Sequence, residues 1–129
     1  MKIMLVDDEV RYLETTGKLL SKKGYDVQTA ASGPEALEKL TKQNVHVVIL
    51  DVKMPGMDGI ATLKEIKKQF PSVEVIMLTG HATVESAIDG LKAGASDYLM
   101  KPSEIDDLVA KAEEVFEKHQ KIQEKIRTA

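Results

Sequence analysis

The 129-residue sequence has no cysteine, which excludes disulfides, thiolate metal sites and cysteine nucleophiles. It has no apolar run near the roughly 20 residues that cross a bilayer, and "MKIMLVDDE" turns acidic too early for a secretory signal. A cytoplasmic protein without membrane association is expected. Positive charge is in deficit: 18 Lys and Arg against 21 Asp and Glu leave a net charge of −3. Phosphate-gripping surfaces are basic, so direct nucleic-acid binding by this chain is not expected. Its glycines form no GxGxxG and no P-loop, so a nucleotide site is not expected either. The three histidines, His46, His81 and His119, lack metal-ligand spacing. His46 reads as structural, and His81, two residues past Thr79, is a candidate for the mouth of a site.

What is present is a regular alternation. The length suits one domain with a real core. "KIMLV" (2–6) reads as a strand, followed by a helix with Val10, Leu13, Gly17 and Leu20 on one face and Gly24 as its stop. "YDVQTA" (25–30) is a more polar strand suited to a sheet edge, and Ser32 with Glu35 forms a capping box for the second helix. A third strand spans 45–50, and Asp58 is a cap for a helix ending before Pro71. A fourth strand spans 73–78, a fourth helix runs from Thr83 to the stop at Gly94, and a fifth strand spans 97–100. Ser103 is the expected cap of the last helix, and Met4, Met77 and Met100 read as core filler. Gly90, inside the fourth helix, should cost about 1 kcal/mol relative to alanine.

Five βα units in succession imply an α/β fold: a doubly wound, five-stranded parallel sheet with helices on both faces and right-handed crossovers. Two strand orders compete, a flavodoxin-like 2-1-3-4-5 and a half-Rossmann order. In both, ligands sit at the carboxyl ends of the strands where the order reverses.

The stretch "HVVILDVKMPG" carries a continuous apolar strand to a single carboxylate, Asp51. The first strand ends in Asp7 and Asp8, the fourth in Thr79 and the fifth in Lys101. In the 2-1-3-4-5 order these residues converge at one end of the sheet. Clustered carboxylates repel unless a cation joins them, and a hard, oxygen-preferring ion such as Mg²⁺ is the natural partner. A carboxylate nucleophile, a cation, a lysine and a hydroxyl together describe phosphoryl transfer onto an aspartate.

The segments "LVDDE", "VILDVKMPGMDG", "IMLTGH" and "DYLMKP" resemble, in order and spacing, the motif set of the response-regulator receiver domain (CheY-like) of two-component signal transduction. The similarity covers about residues 2–118. The resemblance implies the 2-1-3-4-5 three-layer sandwich and a phosphorelay in which Asp51 accepts a phosphoryl group from a sensor histidine kinase or phosphotransfer protein. It implies Mg²⁺, with Mn²⁺ as a substitute, bound directly by Asp8, through water by Asp7, and by Asp51 and the backbone carbonyl of Lys53. Thr79 and Lys101 would contact the phosphoryl group, and Thr79 with Tyr98 would form the switch. The Lys101–Pro102 bond would be cis, against the ordinary preference for trans. No external substrate would be turned over; the chemistry would be confined to phosphorylation and autodephosphorylation of Asp51.

Two other classes compete. An aspartyl-phosphate phosphohydrolase of the haloacid-dehalogenase type also uses a strand-end Asp, Thr, Lys and Mg²⁺. It needs a second Asp two residues after the nucleophile, where this chain has Lys53, and its acidic pair comes late rather than early. A stand-alone, non-phosphorylated binding module would lack Asp51, Lys101 or the acidic pair, all of which are present.

The C-terminus adds one more feature. Leu108, Ala112, Val115, His119, Ile122 and Ile126 follow a heptad spacing. The receiver is expected over 1–118, with 119–129 a helical extension or the start of a linker. That extension would pair with a second copy, together with the face made by the fourth helix, fifth strand and fifth helix, or lead into an output module.

Overall fold

The computed structural model describes residues 1–52, 59–80 and 84–128. Its elements are β1 (Lys2–Val6), α1 (Val10–Lys22), β2 (Asp26–Ala30), α2 (Gly33–Lys42), β3 (Val47–Asp51), α3 (Gly59–Gln69), β4 (Glu74–Thr79), α4 (Val84–Lys92), β5 (Asp97–Met100) and α5 (Ile105–Thr128). All strands pair in parallel, in the order β2-β1-β3-β4-β5. The half-Rossmann alternative is thereby removed.

Strand alternation divides the core into two layers. Ile3, Leu5, Val47, Ile49, Ile76 and Leu78 face α1 and α5, where they meet Leu13, Leu20, Leu108 and Ala112. Met4, Val6, Val48, Leu50, Val75 and Met77 face the other way, onto Ala36, Leu40, Leu63 and Ile66 of α2 and α3. β3 is buried along its whole length, as a central strand covered on both sides must be, whereas β2 at the edge is mostly half-exposed. Two helices stop at glycines in the left-handed region, Gly24 at φ 96° and Gly94 at φ 111°. Ser32 accepts the Glu35 N–H at 3.2 Å, and Glu35 accepts the Ala31 N–H at 2.6 Å, one residue earlier than in an ideal capping box.

Several expectations need correction. β3 and β4 each run one residue beyond their last apolar side chain, because Asp51 pairs with Leu78 and Thr79 with Met100. Ser103 does not cap α5; its hydroxyl donates to the Met100 carbonyl at 2.6 Å. Met4 and Met77 are core residues, but Met100 is 54% exposed, since β5 is an edge strand with one face uncovered. The expected caps Asp58 and Thr83, and His81, lie outside the described residues.

Gly90 is explained by packing. A Cβ there would lie 1.9 Å from Met77 Cε and 2.1 Å from its sulfur, so α4 rests directly on a buried β4 side chain. Alanine at this position gains about 1 kcal/mol of helix propensity but overpacks the core by about 1–3 kcal/mol. Gly90→Ala should therefore lower stability in urea unfolding, and in a Met77→Ala background the same change should be neutral or stabilising. Equal effects in both backgrounds would contradict the contact.

Candidate functional site

β1 and β3 are neighbours in the sheet, and their connections leave in opposite directions. Their carboxyl ends therefore form the switch-point cleft. Into it β1 delivers Asp7 and Asp8, β3 delivers Asp51, β4 Thr79 and β5 Lys101. Asp7 is held by backbone on one side, its N–H donating to the Ala30 carbonyl at 3.1 Å. Asp51 is fixed from behind: the next residue, Val52, donates to Leu78 and accepts from Gly59 at 2.9 Å. Gly59 is needed there, since a Cβ would lie 2.4 Å from Val52 Cα and 2.7 Å from the Asp51 carbonyl oxygen. The start of α3 is thus pressed against the end of β3.

Carboxylate oxygens of Asp7, Asp8 and Asp51 all lie within 4.8 Å of one another. Asp7 and Asp51 are buried, at 1% and 6% exposure, while Asp8 faces solvent. Asp7 uses both oxygens: Oδ1 accepts the Glu9 N–H at 2.9 Å and Oδ2 accepts from Lys101 Nζ at 2.7 Å. Lys101 Nζ also lies 3.6 Å from Asp51 Oδ2. Burial, the strongest single influence, pulls the lysine pKa down, but the hydrogen bond to Asp7 and the charges of Asp7 and Asp51 outweigh it and leave it raised. Lys101 therefore stays charged through neutral pH, and its stabilising contribution is lost only as pH rises beyond the ordinary lysine range, about 10.4.

Thr79 is buried beside this group, and the Lys101 N–H donates to its carbonyl at 2.8 Å. The Lys101–Pro102 peptide is cis. Tyr98 is half-exposed on the α4 side of β5, level with Met77 in the ladder. Lys53 lies outside the described residues. One residue escaped the sequence reading: the Tyr12 ring lies under Lys101, with Nζ 5.1 Å from its centroid. Its signal was its place in the first turn of α1, the helix that opens directly after the acidic pair. His46 is structural: its Nδ1 accepts the Lys2 N–H at 2.9 Å, far from the cleft, and its ring tilts over Phe116.

The donor set suits a hard divalent cation. It is all oxygen and anionic, partly open to solvent, and among the described residues it is the one group of three or more such ligands able to meet at an ion. No helix of the described residues is long and apolar enough to cross a membrane.

A doubly wound sheet with clustered carboxylates, a hydroxyl and a lysine at its switch point defines a class of α/β domain built for anion and metal chemistry at the strand ends. Comparison with known proteins gives the family. Residues 3–113 match the response regulator receiver domain, and the chain belongs to that family. It is 45% identical over 114 residues to the transcriptional regulatory protein ZraR of Escherichia coli K12, covering 88% of this chain and 26% of that protein. It is 36% identical over 122 residues to the DNA-binding transcriptional regulator NtrC of the same organism, covering 95% of this chain and 26% of that protein. Among solved structures, a CheY-like receiver domain protein from Methanospirillum hungatei superposes with a TM-score of 0.89 at 35% identity, covering 93% of this chain and 96% of that one. The chain spans about a quarter of the length of the curated relatives it matches. It is a receiver domain of two-component response regulators, and nothing in these matches favours a phosphohydrolase.

Removing the ammonium should expose the cost of the carboxylates. Lys101→Met is expected to destabilise the metal-free protein by about 1–3 kcal/mol, below the roughly 3–5 kcal/mol of a fully buried broken pair because the cleft is partly open. Adding Asp7→Asn should recover most of the loss, as measured by urea unfolding. If the single variant is as stable as the parent, the lysine is not what neutralises the cleft.

Proposed function

We propose that Asp51 is the phosphoacceptor of this receiver. The supporting observation is a buried carboxylate at the end of the central strand, within 4.8 Å of two more carboxylates and 3.6 Å from Lys101. The donor would be a phosphohistidine of a sensor histidine kinase or phosphotransfer protein. An Asp51 oxygen attacks phosphorus, the P–N bond breaks, and its electron pair returns to the imidazole. Asp8 and Asp51, with Asp7 through water and the Lys53 carbonyl, would hold Mg²⁺ or Mn²⁺. That Asp7 already spends both oxygens on protein donors favours its reaching the ion through water. When bound, the cation neutralises the carboxylates and the charge of the transferring group. Lys101 and the Thr79 hydroxyl then receive the phosphoryl oxygens. Beyond the phosphoryl donor, no external substrate is turned over.

Asp51→Asn should abolish labelling by acetyl phosphate, whereas Asp8→Asn should chiefly weaken Mg²⁺ binding, read by titration of the metal. Full labelling of Asp51→Asn would remove the assignment.

The readout we propose couples Thr79 to Tyr98. Thr79 moves toward the phosphoryl group, Tyr98 turns into the space it leaves, and two packings exchange population. Tyr98 is 37% exposed, and Ile88 and Leu91 of α4 and Met100 of β5 are exposed too, which suits a face that repacks against a partner or second copy. We further propose 1–118 as the receiver and 119–129 as an extension or linker. In the heptad series Leu108, Ala112 and Val115 are spent on the domain's own core and His119 on Glu74, leaving Ile122 and Ile126 at 58% and 67% exposure for a second copy or an output module. Beryllofluoride should raise self-association of the full chain in sedimentation and alter hydrogen exchange of residues 84–100, with the dimer weakened in a version ending at Lys118. Unchanged exchange and identical monomers in every state would contradict this readout.

A further inference from the structure

We propose that Tyr12 is a positioning residue for phosphoryl transfer, its ring face serving as the platform that keeps the Lys101 ammonium in the cleft; this rests on the phosphoacceptor reading of Asp51. Lys101 is a mobile point charge on a flexible stem, and something must aim it. Among the described residues its ammonium meets Asp7 Oδ2 at 2.7 Å, Asp51 Oδ2 at 3.6 Å and the Tyr12 ring centroid at 5.1 Å. Serving a group on Asp51 requires the ammonium to lean away from Asp7, its shortest contact. A hydrogen bond to Asp7 resists that movement, whereas attraction to a ring face varies little with a small lateral shift. The ring can therefore hold the charge both before and after transfer.

Tyr12 is built to stay in place. It is half-buried and packed against the α1–α5 layer of the core. Its phenol lies near the side chain of Thr16, one turn along α1, and Thr16 is itself 8% exposed. The polar edge thus runs along the helix while the ring lies beneath Lys101. The Lys101 ammonium is set over the ring itself, so the ring and not the phenol carries the function.

The test uses the full chain with Mg²⁺ and acetyl phosphate, following Asp51 labelling by intact mass. Tyr12→Phe keeps the ring face and should react within about twofold of the parent, while Tyr12→Leu keeps only apolar bulk and should be slower by roughly tenfold, the scale of a partly desolvated cation–π contact. Folding differences are removed by a second series, in which position 12 carries phenylalanine with one, two or three ring fluorines. Shape is nearly constant while the ring's negative face weakens, so the rate should fall stepwise. A flat fluorine series, or Tyr12→Leu matching Tyr12→Phe, would overturn the role of Tyr12 even with normal labelling of the parent. A parent chain that is not labelled, or labelling that survives Asp51→Asn, would overturn the phosphoacceptor reading and this inference with it.

Discussion

Two carboxylates buried at the end of a parallel sheet need a cation, and the protein supplies one from 94 residues away, Lys101 on Asp7. Asp7 at 1% exposure and Asp51 at 6% place two carboxylates in a low-dielectric edge, where burying charge is costly. The pairing requires β1, β3 and the end of β5 to open on one cleft, which the 2-1-3-4-5 order provides. The ammonium lies closer to Asp7 than to Asp51, at 2.7 Å against 3.6 Å.

The same cleft is braced by close backbone approaches. Gly59 lets α3 begin against the backbone of Val52, which holds the end of β3 and hence Asp51. Gly90 lets α4 rest on Met77, whose ladder partner is Tyr98. The proposed phosphoacceptor and the proposed switch are therefore each supported by a helix seated on a glycine. Side-chain volume at either position would move a helix relative to the strand it braces, and interfaces packed this tightly change by steps rather than gradually.

Opposite ends of the sheet carry different duties. The carboxyl ends gather charge, while the amino ends are closed by structural contacts: His46 with the Lys2 N–H, and His119 with Glu74 where α5 leaves the core. Beyond that point α5 continues as helix to Thr128 with Ile122 and Ile126 uncovered. The first part of α5 packs on the sheet through Leu108, Ala112 and Val115.

The sequence by itself determined the order of elements and the parallel class of the sheet, and it offered the candidate site residues only as a set. Periodicity and helix stops are local, whereas Asp51, the acidic pair or Lys101 taken singly each has a bland explanation. Hydropathy ends β3 and β4 one residue short of Asp51 and Thr79 because it marks burial, whereas the ladder continues wherever backbone partners remain. It also marks Met100 as core, because edge position is a property of the sheet and not of the segment. Only the tertiary structure set Lys101 on Asp7 with the Tyr12 ring beneath it, and showed that Gly90 makes room for Met77. Those facts depend on distances between residues far apart in the chain, and such distances exist only once the sheet has closed.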